Sequence, residues 1–247
     1  MSYPLLTIYA DLVDDLERSR IATENRIRSL RDVKGLAGSP EEERLDAIAM
    51  VLAESERKAT NELRKAVKLH PLGEWIAAQP GVGEKQAGRL LGVLGDPYLR
   101  IDLETGEATP RTVSQLWSYC GFGDASRQRR RRGEKANWNA TVKMRAFLIA
   151  ESCIKQVGKG SPYRAAYEDA RVKYADAVHA EDCRRCGPSG DPALAGSPLS
   201  DGHKHARALR AVAKTFLRDL WEEARRIHSF GDAQRRTDPA RDLQEAT

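Results

Sequence analysis

Two groups of residues in this 247-residue chain have types and spacings suited to ligand chemistry. One is a thiol and imidazole set toward the C-terminal end, and the other is a glycine turn followed at a distance by a run of arginines. Cys183 and Cys186 form a Cys-x-x-Cys pair with Gly187 directly behind it. That spacing lets two thiolates reach one tetrahedral ion, and the glycine relieves the turn. His203 and His205 lie 17 and 19 residues beyond Cys186, across a Gly/Pro-rich stretch, and complete a Cys2His2 set for zinc, with His179 as a reserve ligand. Four protein ligands leave no open position, so such an ion is structural. The alternative is two free thiols and solvated histidines in a polar loop.

The glycine turn is Gln79-Pro80-Gly81-Val82-Gly83. A short helix must end at Gln79, because Pro80 cannot continue it. Gly81 and Gly83 allow tight backbone geometry around Val82, and a second helix begins near Glu84 with Ala87, Leu90 and Leu91 on its inner side. Backbone N–H groups pointing out of such a turn at a helix N-terminus bind a phosphate oxygen without reading bases. Lys85 and Arg89 are expected to add charge on the exposed side. The layout resembles the helix-hairpin-helix motif; the alternative is an ordinary glycine-rich connection between helices. Further on, Arg127, Arg129, Arg130, Arg131 and Arg132 fall within six residues, with Lys135 just after. These cations repel one another unless an anion neutralises them, which reads as a phosphate clamp with steep salt dependence rather than a solvated loop. Trp138 follows, either to stack on a base or to anchor the next helix.

The elements that must position these groups are helical. Leu5, Ile8, Leu12, Leu16, Ile21, Ile27 and Leu30 recur at helical spacing, and Ser39-Pro40 with Glu42 signals the start of a second long helix through Leu45, Ile48, Val51, Leu52 and Leu63. Residues 1–69 therefore read as an antiparallel helical hairpin, either a dimerisation arm or a two-helix lid on the core. Residues 70–160 carry the helix-hairpin-helix turn, with residues 102–110 as a small hairpin at most. Residues 161–230 hold C-terminal helices and the candidate zinc loop, and 231–247 read as a disordered tail. No sustained strand pattern appears, so the fold class is all-α. No run of about 18 apolar residues exists to span a membrane, and no signal-peptide pattern opens the chain. Four cysteines, two of them in apolar helical stretches, fit a reducing compartment, so the expected location is cytoplasmic, and nucleoid-associated if the phosphate-binding reading holds. The net charge of +5 is mild, so its local concentration matters more than its sum.

Residues 72–155 resemble the C-terminal domain of insertion-sequence transposases of the DEDD, bridge-RNA-guided recombinase type. The matching features are Pro80 to Gly83, Gly95-Asp96, Gln115 to Phe122, the arginine run, and Trp138 to Ile149. Gly202 to Arg210 and Lys214 to Trp221 extend the likeness to about 150 of the 247 residues. The resemblance implies binding to DNA, with a guide RNA as the second nucleic-acid partner, in transposition or DNA recombination. Two features depart from it. The family's RuvC-like domain with four metal-binding carboxylates is replaced by the helical hairpin, whose Asp14, Asp15, Glu42, Glu43 and Glu54 lie on helix surfaces. The family's nucleophilic serine has only Ser126 as a weak counterpart, placed earlier in the loop and with no base beside it in sequence. The expectation is DNA binding through the turn and the arginine loop. The alternatives are a serine-type recombinase subunit that takes its carboxylates from a partner, or a helical module for protein or RNA that self-associates through its N-terminal helices.

Overall fold

The structure is a computed structural model that describes residues 4–102, 104–124, 133, 135–184, 186–187 and 191–236, with side chains up to residue 229. The described chain is helical apart from one small two-stranded sheet and two isolated bridges, in line with the all-α expectation. It divides into two units, residues 1–74 with 84–95, and residues 75–83 with 96–247. The cut does not follow the sequence-based boundary at residue 69. The helix after the glycine turn joins the N-terminal hairpin, and the turn itself joins the second unit.

The first unit contains α1 (Pro4–Asp32), α2 (Pro40–Leu69) and α4 (Glu84–Leu94), and the short α3 (Gly73–Ala78) precedes the glycine turn. Ser39 caps α2 by accepting the Glu42 N–H, with Pro40 at the first helical position. The Glu42 carboxylate reaches back to the Gly38 N–H rather than to that of Ser39, and also pairs with Arg31. Arg31 meets Glu42 near the turn and Arg20 meets Glu56 further along, so α1 and α2 run antiparallel. The packed face of α1 is Leu6, Ala10, Val13, Thr23 and Ile27. Leu5, Ile8, Leu12 and Ile21, which marked α1 as a helix, are exposed. Helix α4 packs small residues against the hairpin. A Cβ on Gly92 would collide with Ala10, and one on Gly88 with Leu63 and Val67. Between the three helices lies a cluster of ion pairs: Arg89 with Asp14 and Glu17, Lys85 with Glu17 and Glu56, and Arg20 with Glu56.

This cluster sets an acid limit on the unit. Burial raises the pKa of Glu17 and Glu56, but Arg89 and Lys85 on the one and Lys85 and Arg20 on the other outweigh it, so both stay below their ordinary 4.5. A carboxylate depressed in the folded state contributes stability in full above its unfolded pKa and loses it as pH falls through the folded one. Thermal melting should therefore be level from about pH 7 to about pH 5 and fall steadily below that. A melting temperature unchanged down to about pH 3 would contradict the pairing.

The second unit is built on α8 (Asp201–Arg236), against which α5 (Val113–Tyr119), α6 (Ala140–Cys153) and α7 (Pro162–Lys173) pack. The last helix starts behind Ser200 and runs to Arg236, so residues 231–236 of the expected disordered tail are helical instead. Residues 237–247 of the expected tail lie outside the described residues. The core holds Ile76, Leu116, Phe122, Ile149, Tyr163, Phe216 and Leu220, with Tyr163 edge-on to Phe216 at 5.8 Å. Strands β1 (Leu99–Ile101) and β2 (Ala108–Pro110) form an antiparallel hairpin with Leu99 opposite Pro110. Asp96 ties this region to α8. Its carboxylate accepts the Tyr98 and Leu99 N–H groups and meets His228 Nε2 at 2.6 Å, while Trp221 donates to the Arg111 carbonyl at 2.8 Å. No helix among the described residues is long and apolar enough to cross a membrane.

Candidate metal centre and basic groove

Residues 177–200 fold back on themselves through two short antiparallel bridges. One joins Val178 to Pro198, the other Cys183 to Ala193. Around the first, the His179 N–H donates to the Ser197 carbonyl at 2.9 Å; around the second, Cys183 and Ala193 exchange both backbone bonds. A Cβ on Gly187 would overlap the Asp191 carbonyl, so the turn behind the thiols closes only with glycine there. Ser200 then starts α8 by accepting the His203 N–H through its hydroxyl at 3.2 Å.

This arrangement gathers His179, Cys183, Cys186 and His203, with one ligand atom from each lying within 4.8 Å of all the others. His203 Nδ1 is 3.4 Å from Cys186 Sγ and 4.0 Å from Cys183 Sγ. Metal–sulfur and metal–nitrogen bonds of about 2.3 and 2.0 Å place tetrahedral ligand atoms about 3.3–3.8 Å apart, so the set is close to closing on an ion. His179 gives independent support. It is 3% exposed, and its Nε2 is buried with no hydrogen-bond partner among the described residues. A buried ring nitrogen left unpaired costs about 1–3 kcal/mol, which a coordinate bond removes. These four residues can hold a metal ion.

The sequence reading named His205 where the structure places His179. Residues two apart on an α-helix point about 200° apart around its axis, so His203 and His205 cannot face one centre. His205 instead turns to α7, where its Nδ1 lies 2.7 Å from the Tyr167 hydroxyl. The bridge at Val178 is what carries His179 to the centre, and nothing local to His179 announces it.

The helix-hairpin-helix residues are placed differently from expectation. Gly81 adopts φ +88°, a left-handed conformation suited to glycine. A Cβ there would also strike the α6 backbone at Cys153. Val82 is buried and its N–H is already donated to the Gln79 carbonyl; Gly83 is exposed, with open space around it. Arg89 was expected on an exposed side and is 3% exposed, bonded to Asp14 and Glu17. Lys85 likewise bonds Glu17 and Glu56. The acids of the hairpin pair with both cations; this buries Arg89, against expectation, and leaves Lys85 25% exposed. Ser126, Arg127 and Arg129 to Arg132 lie outside the described residues, and Lys135 is exposed.

The structure brings a second set of cations together that the sequence reading did not single out. Arg207, Arg210, Lys214 and Arg218 recur on α8 at spacings of three, four and four, hence on one face. They line an open groove of about 340 Å3 with Trp117 and Tyr174. Arg210 donates to the carbonyls of Gly121, Phe122 and Gly123, the stem of the arginine loop. Arg210 and Lys143 both lie over the Phe122 ring, at 5.7 and 6.0 Å. Among the described residues no carboxylate pairs with Lys143, Arg207, Arg210 or Lys214, whereas Arg218 pairs with Asp219 and Glu222. Burial lowers the pKa of Lys143, Arg210 and Lys214, and the positive charge of Arg210 lowers the two lysines further. The α8 spacing was visible in the sequence, but its meaning depended on which helix face was left uncovered. No protein-family model matches the chain, and neither does any curated protein.

Proposed function

We propose that the protein binds DNA, as a relative of the C-terminal domain of transposases, and that it contacts the phosphate backbone through the α8 groove and the arginine-rich segment 127–132. The observation that carries this reading is the row Lys143, Arg207, Arg210 and Lys214, half-buried and without a carboxylate partner among the described residues. Four cations held close together in partly desolvated positions are stabilised by an anion, and a polyanion serves all of them at once. The Gly83 end of the glycine turn adds an exposed backbone site and Lys135 an exposed cation; the five arginines of residues 127–132, which lie outside the described residues, supply further positive charge. Lys85 and Arg89 have no part in it, because the hairpin acids already hold them. The ion of the metal centre is zinc, which suits two thiolates and two imidazoles in a closed tetrahedral set and acts there as a structural tie.

Fluorescence anisotropy with a DNA duplex at increasing salt tests the binding reading. Each phosphate neutralised contributes about −0.9 to the slope of log affinity against log salt, so Arg207→Gln with Lys214→Gln should flatten the slope by about 2. The same pair should weaken binding roughly tenfold at about 0.1 M salt. No binding by the unaltered protein at about 0.05 M salt, or an unchanged slope in the variant, would sink the reading.

A further inference from the structure

The α8 groove is larger than a backbone clamp requires. Its space of about 340 Å3 lies within the range of small-molecule sites, which begins at about 300 Å3, and far exceeds one phosphate group. Small side chains keep it open along α8, at Ala211 and Thr215. Aromatic rings reach it from two other elements: Trp117 from α5, and Tyr174, which caps the C-terminal end of α7. Each ring already holds a cation. Lys214 Nζ sits 4.0 Å from the Trp117 centroid and Arg207 Cζ sits 5.6 Å from that of Tyr174. Trp117 is fixed in turn, because its Nε1–H donates to the Lys214 carbonyl at 3.0 Å. A cation held on a ring face keeps a defined position without being neutralised, so its charge remains available to phosphate. The planar guanidinium of Arg207 and the Tyr174 ring together present flat surface for a base.

We propose that this groove takes one unpaired nucleotide of a nucleic-acid strand, with its phosphate at Lys214 and its base against Tyr174 and Arg207. This rests on the nucleic-acid reading above and narrows its ligand from duplex backbone to a strand with an unpaired base. In a duplex the base faces are stacked on their neighbours, so a recessed aromatic surface is reached only by a base out of the stack. The charge of Arg210, fixed by its three carbonyl contacts, backs the phosphate position rather than donating to it. DNA and RNA strands share this chemistry.

The test measures the binding of the full chain to a DNA strand, the RNA strand of the same sequence, and the DNA duplex. It compares the unaltered protein with Tyr174→Ala, Tyr174→Phe and Lys214→Gln. Tyr174→Ala should weaken single-strand binding by about tenfold, within the range that base–aromatic stacking supports. Duplex binding should change by less than about twofold, and Tyr174→Phe should bind like the unaltered protein. Lys214→Gln should weaken strand and duplex alike, a control that does not depend on the Tyr174 variants folding. Binding to the DNA strand, the RNA strand or both meets the proposal, and their ratio names the source. If Tyr174→Ala weakens strand and duplex equally, or neither, the unpaired-nucleotide site is overturned and the backbone reading stands. If the unaltered protein binds none of the three probes, both fall.

Discussion

His179→Ala is expected to strip the metal from its centre, and His205→Ala is expected to leave it in place. The two histidines differ in what surrounds them. His179 is buried, with its Nε2 unpartnered among the described residues beside Cys183, Cys186 and His203, whereas His205 is turned to the Tyr167 hydroxyl. Losing one of four ligands should cost more than the loss of a group that only orients a ligand, which is about 10–100-fold in affinity. Zinc analysis of the purified variants should therefore give one equivalent in His205→Ala and close to none in His179→Ala. The thiols supply a second readout. Burial pushes the Cys120 and Cys153 thiols up to about 12, so neither offers thiolate near neutral pH. A thiol reagent should label no cysteine in the loaded native protein, Cys183 and Cys186 after chelation, and all four only on unfolding. The reverse order of metal loss between the two histidine variants would restore the ligand set first read from the sequence.

Arg89→Met should cost the first unit about 3–5 kcal/mol, the usual penalty for removing one partner of a buried ion pair. The Arg89 side chain is 4% exposed, and Asp14 and Glu17, at 19% and 26%, would be left without the cation they share. The exposed pair Arg18–Asp15 gives the contrast, since Arg18→Met should cost less than about 1 kcal/mol. Adding Asp14→Asn and Glu17→Gln to Arg89→Met should recover part of the loss, because the two carboxylates that lost their shared guanidinium are then neutral. Urea unfolding followed by circular dichroism measures all three variants. The same experiment separates the two roles available to Arg89. A phosphate-contacting arginine would lose DNA affinity at unchanged stability, whereas an internal tie loses stability; a change below about 1 kcal/mol in Arg89→Met would refute the internal tie.

Much of the local structure follows from the sequence alone. Ser39-Pro40 starts a helix and Pro80 stops one, because capping and proline geometry depend on neighbours a few residues away. The Cys183–Cys186 pair is legible for the same reason, since two residues between the thiols are enough to let both reach one ion. What remained open was always a choice between equivalent local options. The spacing put both His203 and His205 in the ligand set with His179 in reserve, and only the rotation of α8, which turns His205 away, and the Val178–Pro198 bridge, which brings in His179, settle the set. Lys85 and Arg89 sit on a helix whose N-terminal turn suggests phosphate, yet Asp14, Glu17 and Glu56, distant in sequence, neutralise them. Conversely, Arg207, Arg210 and Lys214 of α8 meet no carboxylate among the described residues and line a groove with Trp117 of α5 and Tyr174 at the end of α7. The sequence by itself determined which residues can ligate or carry charge. The tertiary structure decided which of them meet a partner among the described residues and which do not, because that depends on long-range packing rather than spacing. The glycine turn shows both sides: its shape is local, and the loss of its two flanking cations to the hairpin is not.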